Sequence, residues 1–235
     1  MKAVVLLSGG LDSTVLLYKL KADRIECFPL AVNYGQRHNV ELAAAEQIAE
    51  AAECPLVVVN ADSALAPVFE QARSSQVGQN VDVPEGHYAD PSMALTVVPN
   101  RNMLLISIAG AYAQAIGARQ VAYAAHAGDH PIYPDCRPDF IDAARQALYL
   151  ATDVELRALF AYQTKTDIVR LGAKLGVPFE ATYSCYRGEE IHCGRCGTCY
   201  ERREAFREAG VDDPTAYEPQ PTMEASEAES GVEGN

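Results

Sequence analysis

The sequence predicts an α/β protein in which a parallel sheet is covered by helices on both faces. Three observations carry this expectation. Continuous apolar runs at 2–7, 25–35 and 55–61 lack polar alternation, as strands buried on both faces do. Segments of helical spacing at 12–23 and 39–53 separate them, and β-α-β-α-β order favours parallel pairing. The chain has 235 residues, 49% hydrophobic and 22% charged, which suffices for one sizeable domain with an appendage.

Each later element has a local reason. Residues 71–99 scatter Gly, Pro, Asp and Ser and read as a long loop, a length that points to function or mobility. RNMLLISIAGAYAQAIGA (101–118) reads as a helix and RQVAYAA (119–125) as a strand. Pro138 opens a helix over 138–151, and 154–161 reads as a further strand. A helix over 165–176 closes at Gly176, with Pro178 just beyond, and YERREAFREAG (200–210) is a polar helix. No internal repeat is present. The expected organisation is an α/β domain over 1–180, a small cysteine-bearing helical segment over 181–217 packed on it, and a disordered acidic tail over 218–235.

Net charge is −13, and the residues beyond 210 carry seven acids with no Lys or Arg. Such a balance is poorly suited to gripping a nucleic-acid backbone. No apolar stretch reaches the roughly 20 residues of a membrane span, and no signal-peptide pattern opens the chain. A cytoplasmic protein with neither a nucleic-acid nor a membrane partner is expected.

The stretch LLSGGLDSTVLLYKL (6–20) sets a Gly-Gly pair between the first strand and the first helix. Glycines there let backbone N–H groups approach an anion, and the helix adds the positive end of its dipole. Ser8 and Ser13 can donate hydroxyl hydrogen bonds to phosphate oxygens. The Walker pattern and the dinucleotide GxGxxG pattern are both absent. The plain alternative is a strand–helix turn with Asp12 as its N-cap.

Seven cysteines divide into three scattered ones, Cys27, Cys54 and Cys136, and a group at 185, 193, 196 and 199. SCYRGEEIHCGRCGTCY spaces Cys185, Cys193, Cys196 and Cys199 as C-x7-C-x2-C-x2-C. Four thiolates so spaced satisfy one tetrahedral zinc with no open position, a structural site. A redox dithiol is the alternative reading of CxxC.

SGGLDS resembles the SGGxDS pyrophosphate loop of the ATP pyrophosphatase families. YGQRH (34–38), RNMLLISIA (101–109), YPDCRPDFI (133–141), TKTDIV (164–169) and TYSCY (182–186) all resemble one of these, the 7-cyano-7-deazaguanine synthase family of queuosine biosynthesis. The resemblance spans about residues 2–215. It implies an adenine nucleotide alpha hydrolase-like fold, a Rossmann-like arrangement, and a homodimer. It also implies an ATP-dependent C–N ligase that cleaves ATP at the α–β bond. The implied substrates are 7-carboxy-7-deazaguanine, ammonia and ATP, with Mg²⁺ accompanying ATP and one structural Zn²⁺ per chain.

Carried over position by position, Ser8, Gly9, Gly10, Leu11, Asp12 and Ser13 form the ATP loop, and Asp12 also suits Mg²⁺. Ser8, Asp12, Ser13 and Lys165 are the expected catalytic set, with Lys165 answering phosphate charge unless it is a solvated helix-start lysine. Arg101, Asp135 and Arg137 are the expected substrate residues: a carboxylate accepts from a guanine-like edge, and a guanidinium suits a carboxylate. Asn100 stands where the family has Gly, and Asn tolerates left-handed backbone. Cys136 is expected to pack rather than react, Tyr34 and Gln36 to line the nucleotide site, and Asp129 to keep the family's acid. Three rival readings fit the residues less well. A tRNA thiolation enzyme needs free cysteines and RNA-binding charge. An NAD synthetase lacks SCY and the cysteine group. A zinc-binding module would leave SGGLDS unexplained.

Overall fold

The computed structural model describes residues 1–36, 40–77 and 81–219. Five parallel strands form one sheet in the order β3-β2-β1-β4-β5. They are β1 (Lys2–Leu6), β2 (Glu26–Asn33), β3 (Val57–Asn60), β4 (Gln120–Ala122) and β5 (Glu155–Arg157). The helices are α1 (Leu11–Ala22), α2 (Val40–Ala51), α3 (Asp62–Phe69), α4 (Arg101–Ala115), α5 (Pro138–Thr152), α6 (Lys165–Leu175) and α7 (Gly197–Ala209).

The unbroken apolar runs follow from burial on two faces. Val5, Ala31 and Ala122 point to one face, where Leu16 of α1, Ile48 of α2, Ile168 of α6 and Phe206 of α7 cover them. Val4, Leu30 and Val121 point to the other, under Ile106 and Ala109 of α4 and Ile141 and Ala144 of α5. Successive residues of each strand thus enter opposite cores. Strand order reverses direction between β1 and β4, so the loops after these two strands diverge and leave a crevice at their carboxyl ends.

Four expectations needed correction. Helix α3 lies where no element was read: of its residues only Phe69 is buried, and Pro67 interrupts the helical signal. The strand expected over 154–161 stops at Arg157, because β4 offers only three partners; Phe160 is buried in the turn that follows. Helix α7 starts at Gly197, ahead of the expected 200. The 71–99 segment is packed: Ser74, Ser75, Tyr88, Met93 and Thr96 are buried, Gly86 N–H donates to Arg195 O, and a short 3₁₀ helix spans Pro91–Thr96. Residues 78–80 of that segment, His38, and the expected disordered tail from 220 onward lie outside the described residues.

Helix α7 is fastened by Arg202, which is fully buried. Its guanidinium donates to Thr182 Oγ1 (2.7 Å), Ser184 Oγ (3.2 Å), Phe179 O (3.0 Å) and Asp213 Oδ1 (3.2 Å), and it stacks on Phe206. Replacing it leaves Thr182, Ser184 and Phe179 without this donor and takes the cation away from half-buried Asp213. Arg202→Ala is expected to cost about 3–5 kcal/mol, checked by urea unfolding; a loss below about 1 kcal/mol would contradict this account.

Candidate functional site

The β1–α1 loop is shaped by its glycines. Gly9 has φ +83°, and a Cβ there would lie 2.3 Å from Glu41 O and 2.8 Å from Ala45 N of α2. Only glycine lets the loop lie this close to α2. Gly10 is the N-cap of α1 and supplies no capping side chain, so the first N–H groups of the helix face the crevice. Asp12 is therefore not a cap; it sits in the first turn. Ser8 and Ser13 pin the loop internally, their hydroxyls 3.1 Å apart, and Tyr183 N–H donates to Gly9 O at 2.9 Å.

Lys165 arrives from a distant part of the chain. A reciprocal capping box between Thr164 and Asp167 starts α6 at Lys165, which aims its side chain into the crevice. Its Nζ lies 2.6 Å from Asp12 Oδ2 and 3.4 Å from Glu201 Oε2. Burial opposes this ammonium, but the two carboxylates outweigh it and hold Lys165 above the usual lysine range. Burial would raise the Asp12 carboxyl; the Lys165 ammonium beside it overcomes this and holds it low. Burial lifts Glu201, which Lys165 only partly offsets.

A single cavity at the crevice is lined by Ser8, Gly10, Leu11, Asp12, Ser13 and Lys165. Tyr34, Gln36, Arg101 and Asp129 line it too. Asn100 does adopt the left-handed conformation (φ 55°) and launches α4 at Arg101. Arg101 Nη1 faces Tyr34 Oη at 3.5 Å. Tyr133 Oη is 2.6 Å from Thr96 Oγ1 and 2.9 Å from Tyr186 Oη, while Tyr88 donates to Asp129 Oδ1 at 3.0 Å.

Asp135 and Arg137 do not line this cavity. Asp135 Oδ2 accepts from Asn102 N–H at 2.9 Å, holding the first turn of α4. Arg137 is exposed and its Nε donates to His130 O. Cys136 is buried against Asn102 Nδ2, and burial pushes its thiol well up, which suits packing and not nucleophilic chemistry. Sequence reasoning missed Glu201, Glu41, Tyr88, Tyr133 and His126. Glu201 and Glu41 read as ordinary helix-surface acids; only the FOLD of α7 and α2 over the crevice distinguishes them.

The four sulfurs of Cys185, Cys193, Cys196 and Cys199 lie within 4.8 Å of one another, and all four residues are buried. Backbone N–H groups of Arg187 and Cys193 donate to Cys185 Sγ, and those of Arg195 and Cys196 to Cys193 Sγ. Converging thiolates with N–H donors behind them fit a closed tetrahedral zinc site. His192 Nε2 accepts from Ser184 N–H (3.0 Å); burial lowers its imidazole to about 4, so it serves as a neutral acceptor. For Mg²⁺ accompanying ATP, Asp12 Oδ1 is a buried oxygen with no hydrogen-bond partner among the described residues, the kind of hard ligand that ion takes.

A parallel sheet with a glycine-turned anion loop at its switch point, answered by one buried lysine, defines an ATP pyrophosphatase-type nucleotide enzyme. The chain belongs to the family described as queuosine biosynthesis protein QueC, whose model matches residues 2–210. A 7-cyano-7-deazaguanine synthase from Caldicellulosiruptor bescii is 49% identical over 220 residues, covering 93% of this chain and 98% of that protein. One from Methanoregula boonei is 48% identical over 221 residues (93% and 100%), and one from Brucella ovis 48% over 222 (93% and 94%).

Two outcomes follow from this geometry. Burial raises the Glu41 carboxyl to about 7, with Arg101 opposing. The folded protein then binds a proton that the unfolded chain releases near 4.5, so this group's contribution to stability falls as pH rises from about 4.5 to about 7. Glu41→Gln should melt above the parent at pH 8 and lose that advantage at pH 4; parallel melting curves at both pH values would refute the assignment. Separately, elemental analysis should find one zinc per chain. Cys199→Ser should lose it and melt about 10 °C lower or more, whereas full metal content in that variant would exclude the four-thiolate site.

Proposed function

We propose that this chain converts 7-carboxy-7-deazaguanine and ammonia to 7-cyano-7-deazaguanine, using ATP cleaved at its α–β bond. The observation that carries this reading is the 2.6 Å pair between Lys165 and Asp12 in the first turn of α1, inside a cavity shared with Arg101 and a row of tyrosines.

A carboxylate is a poor electrophile. One of its oxygens attacks the α-phosphorus, and the bond to pyrophosphate breaks, the electron pair leaving with pyrophosphate. Ammonia then attacks the carbonyl carbon; AMP leaves with that oxygen and a proton is released, giving the amide. The amide oxygen attacks a second ATP in the same way. Loss of AMP and of both amide protons gives the nitrile. Asp12 would hold Mg²⁺ through its unpartnered Oδ1, and the ion when bound would neutralise charge on the phosphates.

The first N–H groups of α1 and the hydroxyls of Ser8 and Ser13 hold the pyrophosphate portion, with Gly9, Gly10 and Leu11 forming the backbone turn. Lys165 offsets the charge of the leaving pyrophosphate. Arg101 receives the substrate carboxylate, bringing it in line with the nucleotide. The hydroxyls of Tyr133, Tyr186 and Tyr88 offer partners to the heterocycle's polar edge. Asp135 acts through α4, fixing the turn that carries Arg101, and Arg137 braces the wall behind it. The zinc-bearing segment carries Glu201 to within 3.4 Å of the Lys165 ammonium. A homodimer is part of this reading, supported by the family resemblance. The acidic charge supports the absence of a nucleic-acid partner. Among the described residues no helix is long and apolar enough to cross a membrane.

With Mg-ATP, ammonium and 7-carboxy-7-deazaguanine, mass spectrometry should detect the nitrile with two AMP per turnover. Lys165→Ala should slow AMP release about 10²–10³-fold while zinc content stays unchanged. Untouched ATP in a folded, zinc-loaded sample would refute the ligase reading.

A further inference from the structure

His126 follows β4 and is 1% exposed. Its Nδ1 accepts from Gly128 N–H at 3.0 Å, and its backbone N–H donates to Asp129 Oδ2 at 3.2 Å. The Nδ1 lone pair is thereby used, so the neutral ring carries its hydrogen on Nε2. Residue 128 must be glycine for this: a Cβ would lie 2.8 Å from the ring's Cε1 and 3.0 Å from Glu201 Oε1. The backbone is thus built to turn one chosen ring nitrogen toward the cavity.

Among the described residues that Nε2–H meets no acceptor that is not already engaged by another donor. Lys165 Nζ is 3.5 Å away and is itself only a donor. Asp129 Oδ1, at 3.5 Å, already accepts from Tyr88. Asp12 Oδ2 and Glu201 Oε1 stand at 3.9 Å, beyond hydrogen-bond range. A buried N–H without a partner costs stability, so its placement calls for an acceptor brought by a ligand.

We propose that His126 contacts the nucleotide directly: its Nε2–H and the Lys165 ammonium together grip one non-bridging oxygen of the α-phosphate. An oxygen about 2.8 Å from each donor fits between two nitrogens so spaced. The choice of phosphate follows from position. On one side of this spot lies Asp12 in the first turn of α1, where pyrophosphate sits. On the other, Asp129 leads through Tyr88 to the tyrosine row and Arg101. Only the α-phosphorus is bonded to both pyrophosphate and the attacking substrate oxygen during adenylation. His126 gives up no proton in that step; its hydrogen bond strengthens as charge builds on the gripped oxygen. The inference rests on the ligase reading above.

Two substitutions separate the ring nitrogens. His126→Asn keeps an acceptor where Nδ1 meets Gly128 and removes the Nε2–H; His126→Gln extends an amide N–H to the Nε2 position. AMP release from saturating Mg-ATP, ammonium and 7-carboxy-7-deazaguanine is measured beside melting temperature and zinc content. H126N should keep the parent's fold and metal but lose kcat about 10²-fold, with KM for ATP changed less than about threefold. H126Q should retain at least about ten times the kcat of H126N. A purely structural histidine would give the reverse order, and that order, or equal rates, overturns the proposal. The unsubstituted enzyme is also assayed with the two diastereomers of ATP carrying sulfur on the α-phosphate. One should be slowed about tenfold or more relative to the other, and H126N should lose much of that discrimination. Equal rates for the two isomers overturn the proposal even if both variants fail to fold. No AMP at all from the unsubstituted enzyme with Mg-ATP would instead overturn the ligase reading itself.

Discussion

The buried guanidinium of Arg202 is the interaction on which the site's assembly depends. A charge fully removed from water persists only if hydrogen bonds and an opposite charge replace its hydration. Arg202 finds them in Asp213 and in the 179–184 segment, and so locks α7 against the body of the protein. The same helix carries the zinc ligand Cys199 three residues earlier and Glu201 immediately before it. A metal ligand, the guanidinium and the acid beside Lys165 therefore share one helix.

A second constraint acts at the sheet. Because β1 lies between β2 and β4, the loops after β1 and β4 part company above the strand ends. The first loop brings an anion cradle, flattened against α2 by Gly9. The second brings His126 and Asp129. Lys165, from a helix much later in the chain, bridges the two by pairing with Asp12. Three carboxylates, Asp12, Asp129 and Glu201, act on that one ammonium. Such an excess of negative charge suits a nucleotide that arrives with a divalent cation.

Much of this was legible in the sequence because the signals were local. SGGLDS between an apolar run and a helical one is an anion loop by backbone chemistry alone. The C-x2-C-x2-C spacing closes on a metal because thiolates that near in sequence cannot avoid each other in a tight turn. Lys165 was legible through a family motif, and its capping box explains why the helix begins there. The same route gave no sign that Asp135 and Arg137 lie off the cavity. Their motif is local, but the direction of their side chains depends on α4, which Asp135 caps. Helix α3 was illegible because a helix with one buried residue and an internal proline has no apolar stripe to read.

By itself the sequence determined the strands, most of the helices, the anion loop and the metal donors, since each depends on residues within about one turn or one strand of each other. Tertiary structure alone decided which acids surround Lys165, which ring nitrogen of His126 faces the cavity, and that Arg137 faces solvent. Those outcomes depend on how distant elements cross. Packing of whole helices against the sheet sets the crossings, and the surface charges of Glu41 and Glu201 carry no trace of it in their own neighbourhoods.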